Sequence, residues 1–317
     1  MSWLQVARSF LLALASTVLL FLFGASIPLA GILLTPMVPQ PPLAFGLRHG
    51  KGKAAGLLLL ATALVSALGG SELGLGYALL GLMVALLFLC FGRGWSIERL
   101  VASAAAGMLA ALAGALLFLF GSVAGVQDAV RATLQQNLDA SLDLYDSIGF
   151  SSQGVEILRE RAPQMIEMIL RIMPALAFAG FVTVVLINLS FLLRRFPERR
   201  SFFASTADLR EWRSPEYLIW CFILSGFALF LPGWETVRTL ALNLFLMIAV
   251  FYFFQGLSII AYYFHHKHVP YFLRSLAYVL IVFEQIFTLF VVALGLFDLW
   301  GDFRRLKKKD FSPGRAA

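Results

Sequence analysis

The chain has 317 residues, of which 60% are hydrophobic and only 14% charged, against roughly 25% charged in soluble globular domains. A soluble protein of this size could not hide so much apolar surface, whereas a bilayer takes up about 20 apolar residues per helical crossing. The net charge of +7 gives no case for nucleic acid, because the bases lie between and beyond apolar runs, where the positive-inside rule places them. Cys90 and Cys221 both sit inside apolar runs and imply no disulfide framework, redox pair or zinc site.

Arg8 precedes the run FLLALASTVLLFLFGAS, which is too long for the core of a signal peptide and is followed by further spans. Residues 9–23 are therefore predicted as the first transmembrane helix. The next apolar piece carries Pro28, Pro36, Pro39, Pro41 and Pro42, each of which removes a backbone donor. Either it is a proline-rich loop outside the membrane, or it is a broken segment whose backbone must be satisfied by protein or a water-filled cavity. Arg48, Lys51 and Lys53 mark a cytoplasmic end.

Helices are expected over 54–68 and 73–91, then over 100–126 after a second basic turn at Arg93 and Arg99. In the last of these, Ala102, Ala106, Ala110 and Gly114 recur at spacing four beside Ser103, Gly107 and Ala111. Such ladders let helix backbones approach closely in lipid, either within the chain or against another membrane protein.

Residues 127–162 form the long polar segment, with Val130, Leu134, Leu138, Leu142 and Tyr145 on one helical face. From Val126 to Arg171 seven acids face four arginines, a balance that suits the non-cytoplasmic side. It reads as an amphipathic extramembrane helix, followed by a short helix ending near Pro163. A long helix then runs to about Leu193, kinked at Pro174. Six arginines between Arg194 and Arg213 are the best cytoplasmic marker in the chain.

Helices over 217–231, 236–264 and 272–297 complete the pattern. Three full crossings would put the arginine loop and the basic tail on opposite sides, although both look cytoplasmic by charge. Either one C-terminal span fails to cross or one basic cluster violates the rule. The fold class is thus an all-α integral membrane protein of about eight transmembrane helices, with one broken or re-entrant segment and an amphipathic extramembrane helix. It divides into an N-terminal bundle (1–126), an extracytoplasmic segment (127–162) and C-terminal membrane helices (163–317).

Two sets of residues are candidates for function. Glu284, with Gln285 beside it, lies mid-way along the last apolar run. A charge there costs about 2.5–3.5 kcal/mol on insertion scales, so it should face the bundle interior. Asn188, Asn243 and Gln255 are its available polar partners. Asp298, Trp300, Asp302, Arg304 and Arg305 close the chain. On a continuing helix both aspartates share a face, and the group forms either an anchor on anionic headgroups or a docking motif.

The run NLFLMIAVFYFFQGLSIIAYYF, followed by LGLFDLWGDFRRLKK, resembles the YybS-like family of uncharacterised multi-pass bacterial membrane proteins. The earlier PQPPLAFGLRHGKGKAAG resembles that family's N-terminal proline-and-arginine segment. The family's N-terminal half is similar in turn to the substrate-capture subunits of energy-coupling-factor transporters and to the MreD cell-shape protein. The resemblance implies a helical bundle in a bacterial plasma (inner) membrane and supplies no catalytic residue. Capture subunits often carry Ala-xxx-Ala on the first helix, where this chain has only Ala13 with Thr17.

No P-loop, zinc motif, Gly-x-Ser-x-Gly or paired carboxylates at usable spacing occur, so neither an enzyme nor a cofactor is expected. His265, His266 and His268 lack an accompanying carboxylate or cysteine, and no metal site is assigned to them. The expected partners are the bilayer, anionic lipids at the basic loops, other membrane proteins and a small-molecule ligand. Two functional readings stand. The chain captures or transports a small molecule through a polar cavity, or it is a scaffold or assembly factor that binds membrane proteins through small-residue faces and cytoplasmic loops.

Overall fold

The computed structural model describes residues 3–91, 93, 95–147, 152–198 and 209–304. Among these the chain is helical with no strand, as a bilayer requires of any open-ended spanning structure. Twelve helices follow in order: α1 (Trp3–Ser26), α2 (Pro28–Leu34), α3 (Gln40–His49), α4 (Lys51–Gly69), α5 (Ser71–Cys90), α6 (Ile97–Phe120), α7 (Val123–Ser147), α8 (Ser152–Arg195), α9 (Leu218–Ala228), α10 (Glu235–His266), α11 (Tyr271–Phe283) and α12 (Gln285–Gly301). Six are long and apolar enough to cross a membrane, and the bent pair α11–α12 makes up to seven.

The chain forms two compact units, one of residues 1–108, 180–220 and 248–317, the other of residues 109–179 and 221–247. In the first, α1 begins six residues earlier than expected, since nothing between Trp3 and Arg8 breaks a helix. The proline-rich piece is a broken segment, consisting of α2, a 3-10 turn at Thr35–Met37 and α3. Its prolines sit where they cost least. Pro28 opens α2, and Pro41 and Pro42 occupy the first turn of α3, where backbone N–H groups have no helical partner anyway.

The carbonyls freed between those pieces are taken up by side chains of intact helices. Thr17 Oγ1 donates to Val38 O at 2.8 Å, and Asn188 Nδ2 donates to Pro36 O at 2.8 Å. Protein therefore satisfies this irregular backbone. Glycines with positive φ, Gly50 at 101° and Gly70 at 90°, make the sharp reversals into α4 and α5. The core here gathers Leu43, Leu57, Tyr77, Met83, Leu87 and Leu100.

The glycine at the crossing of α10 and α12 has a different cause. A Cβ on Gly256 would lie 2.0 Å from Val291 O, and one on Gly295 would lie 1.9 Å from Tyr252 O. The two backbones touch, which is the close approach that small residues permit in lipid.

The final span departs from the expected single helix. It breaks at Glu284, whose backbone is extended (φ −104°, ψ 111°), and α11 and α12 meet at 101°. At 1.5 Å per residue they rise only about 20 and 26 Å, against a hydrocarbon core of about 30 Å. Helix α9 is shorter still, with 11 residues, where a full span over 217–231 was expected.

In the second unit Gly121 (φ 73°) ends α6 before the expected limit at Val126. Helix α7 packs antiparallel to the start of α8: Arg131 pairs with Glu167 at 2.7 Å and Arg159 with Asp143 at 3.8 Å. Val126 and Leu142 on α7 and Ala162 and Ile166 on α8 are buried, and Tyr145 at the end of the stripe stays exposed. No separate short helix ends at Pro163. That residue lies inside α8, which runs unbroken for 44 residues.

Of the small-residue ladder on α6, Ala106, Ala110 and Gly114 are exposed, and a Cβ on Gly114 would meet nothing within 4 Å. The helix buries its other face, Leu100, Val101, Ala104, Ala105 and Met108.

Candidate functional site

Each of the three membrane-depth amides is committed to backbone. Asn188 Nδ2 donates to Pro36 O and Val184 O, while its own Oδ1 accepts from Gln40 Nε2 at 2.9 Å. Asn243 lies beside Pro174, inside α8. Its Oδ1 accepts from Ala175 N at 3.0 Å, and its Nδ2 donates to Arg171 O at 2.8 Å. Those two backbone groups are i and i−4 partners in a regular helix, and the carboxamide bonds to both of them one residue past the proline.

Gln255 belongs to a third arrangement, in the first unit. Its Oε1 accepts from Ser214 N at 3.0 Å and its Nε2 donates to Asp298 Oδ2 at 3.3 Å. Asp298 Oδ2 also accepts from Arg304 Nη2 at 2.8 Å, and both of those side chains are fully enclosed. Arg304 Nη1 donates to the carbonyls of Arg210 and Trp212 and to Ser258 Oγ. Asp298 Oδ1 caps the turn by accepting from Phe303 N at 3.0 Å. Both Nη groups of Arg304 and both carboxylate oxygens of Asp298 thus have partners, whereas Arg304 Nε is buried with none among the described residues; such partners are the condition under which charge can be taken out of water.

This geometry settles the tail. The helix does not continue through Asp302, which is left-handed (φ 37°) and pairs with Arg213. The two aspartates therefore serve different arginines. Arg304, expected on lipid headgroups, is enclosed because Asp298 and three oxygens replace its water. Trp300 stays exposed at 66%, and Arg305 lies outside the described residues.

The same contacts decide a question of topology. Arg210, Trp212 and Arg213 at the end of the arginine loop touch Asp302 and Arg304, so the described ends of the two basic segments lie together. Tyr271, where α11 starts, lines the same groove as His265 and Ser258, and Ser258 is held by Arg304 just past the end of α12. The bent pair starts and ends towards the His265 end of α10, so the expected straight third span is a bent one.

Glu284 sits at that bend. Its side chain is exposed, as is that of Gln285, and it does not join the amides expected to receive it.

Beside the Arg304 network lies a groove of about 810 Å³ between α8, α10, α11 and the turn at Leu209–Glu211. Arg194, Arg210, His265 and Arg274 line one part of it, and Leu186, Ile187, Phe254, Leu257 and Ala261 another. Among the described residues no carboxylate lines it. Ser258 and Trp212 line it too, so the buried pair fixes part of its wall. Arg274 is held in place, its Nε donating to Val269 O at 2.7 Å and its guanidinium lying 5.1 Å from the Tyr271 ring centre. Sequence reasoning missed this groove because its cations are scattered over three helices and a loop. The only signal was that Arg194, His265 and Arg274 fall near the ends of apolar runs.

The second unit has a cavity of similar size, about 820 Å³, lined by Arg131, Glu167, Arg171 and Asn243 among others. Its charges are already engaged, Arg131 with Glu167 and Arg171 with Glu235 at 2.7 Å each.

No curated protein and no solved structure matches this chain. An apolar helical chain whose irregular membrane-depth backbone is satisfied from within is a multi-pass membrane protein, and residues 15–299 match the model of the family described as predicted membrane protein (DUF2232), to which the chain belongs.

Proposed function

We propose that this protein binds a small molecule within the membrane, in the groove between α8, α10 and α11, and captures or transports it without altering it chemically. The observation that carries this reading is the groove itself. Its volume of about 810 Å³ falls within the range of about 300–1,000 Å³ usual for ligand pockets, and its polar groups are gathered in an otherwise apolar lining. The likeness to the YybS-like family, and through it to transporter capture subunits and MreD, favours the same reading and a bacterial plasma membrane. The two basic segments that meet at Arg304 would then face the cytoplasm.

Ala261→Trp fills the groove from α10 and tests this. Native mass spectrometry of protein released from nanodiscs should show a bound small molecule on the wild type and its loss from the variant at unchanged melting temperature. An adduct of equal occupancy on both would end the groove reading.

A second reading has its own observation. The exposed Ala106, Ala110 and Gly114 face of α6 suits close packing of another transmembrane helix, as a scaffold would need. A photo-crosslinker at Ala110 should then capture a discrete membrane protein in cells, and labelling of lipid alone would count against it.

A further inference from the structure

We infer that the ligand of this groove is an amphiphile with a net-anionic phosphoryl headgroup, its headgroup among the cations and its chain along the apolar wall. The inference rests on the groove-binding reading above and adds the chemical class.

The distribution of chemistry along the helices carries it. On α8, Arg194 is at the helix end, and Ile187 and Leu186 lie two turns deeper. On α10, His265 is at the end, with Ala261, Leu257 and Phe254 successively deeper. From His265 to Phe254 the helix descends about 16 Å. On α11, Arg274 lies in the first turn. The cations therefore collect at one level, among Leu193 and Phe264, and the wall below them is mainly apolar with Thr183 at its foot, which suits a charged headgroup above a chain.

Charge selects the headgroup. Among the described residues Arg194, His265 and Arg274 line the groove with no carboxylate beside them, so its field favours a net-anionic headgroup over a zwitterionic one. Arginine presents a planar fork of donors suited to phosphoryl oxygens. Free phosphate would match the cations and leave the apolar wall uncovered. An uncharged lipid would do the reverse.

The test uses the full chain in detergent with short-chain lipids of equal acyl length. Phosphatidylglycerol should bind at least about tenfold more tightly than phosphatidylcholine, and inorganic phosphate at millimolar concentration should not displace it. Arg194→Gln together with Arg274→Gln should erase that preference, as should Arg194→Gln alone to a lesser degree should the double variant fold poorly. Lys51→Gln with Lys53→Gln, basic positions outside the groove, should leave it intact. Equal binding of the two lipids, displacement by phosphate alone, or equal loss in the lysine variant would each overturn the assignment. The groove reading would survive those results if Ala261→Trp still abolished binding of either lipid.

Discussion

Arg304 and Asp298 are six residues apart, 2.8 Å from each other, and both fully enclosed. Removing one member of such a pair leaves a buried charge without compensation, at a cost of about 3–5 kcal/mol. Arg304→Ala should therefore lower the unfolding free energy in detergent by about that amount. Asp298→Leu with Arg304→Met should recover only part of it, because the carbonyls of Arg210 and Trp212 lose their donor. Full recovery in the double variant would show that those carbonyl contacts contribute nothing.

Asn243 and Pro174 form a second testable pair. Asn243→Ala leaves Ala175 N–H and Arg171 C=O without the side chain that serves both, and should cost about 1–2 kcal/mol. Pro174→Ala restores the missing donor and removes the ring, so the helix can close its own bond. The cost of Asn243→Ala should be smaller in that background. Strict additivity in the double-mutant cycle would refute the bridging role.

The contact of α10 with α12 predicts opposite outcomes for two glycines. Gly295→Ala places a carbon 1.9 Å from Tyr252 O, so the helices must separate, with a loss of about 1–3 kcal/mol. Gly114→Ala meets open space and should be neutral or stabilising by up to about 1 kcal/mol on helix propensity. Thermal unfolding of both variants in one detergent makes the comparison.

Contact between the arginine loop and the tail predicts common sidedness. Cysteines introduced at Glu198 and Ser312 should both resist an impermeant thiol reagent in intact cells and both react after permeabilisation. Reaction of one alone would break the link through Arg304.

Glu284 gives a prediction of no change. Its side chain is exposed and makes no hydrogen bond or ion pair among the described residues, so Glu284→Gln should leave the melting temperature as it is. A marked fall would reveal a partner that the isolated chain lacks, such as a ligand or a second protein.

Much of the architecture was legible from residue order because the bilayer is a uniform solvent. It demands apolar runs of one length, so helix count and basic flanks could be read locally. The break at Pro28–Pro42 was legible for a similar reason, since proline acts on its own backbone. The contacts that satisfy those breaks were not. Thr17 lies 21 residues from Val38 and Asn188 lies 152 from Pro36, and hydrogen-bond partners at such separations are chosen by packing. The same holds for the ends of the chain's charges. By itself the sequence determined that Arg304 and Asp298 lie near a membrane surface. Only the tertiary structure decided that they turn inward to each other, because a carboxylate, two carbonyls and Ser258 together replace water for the guanidinium. Once they do, the bent α11–α12 pair, the side of the tail and the wall of the cationic groove are held by one buried contact.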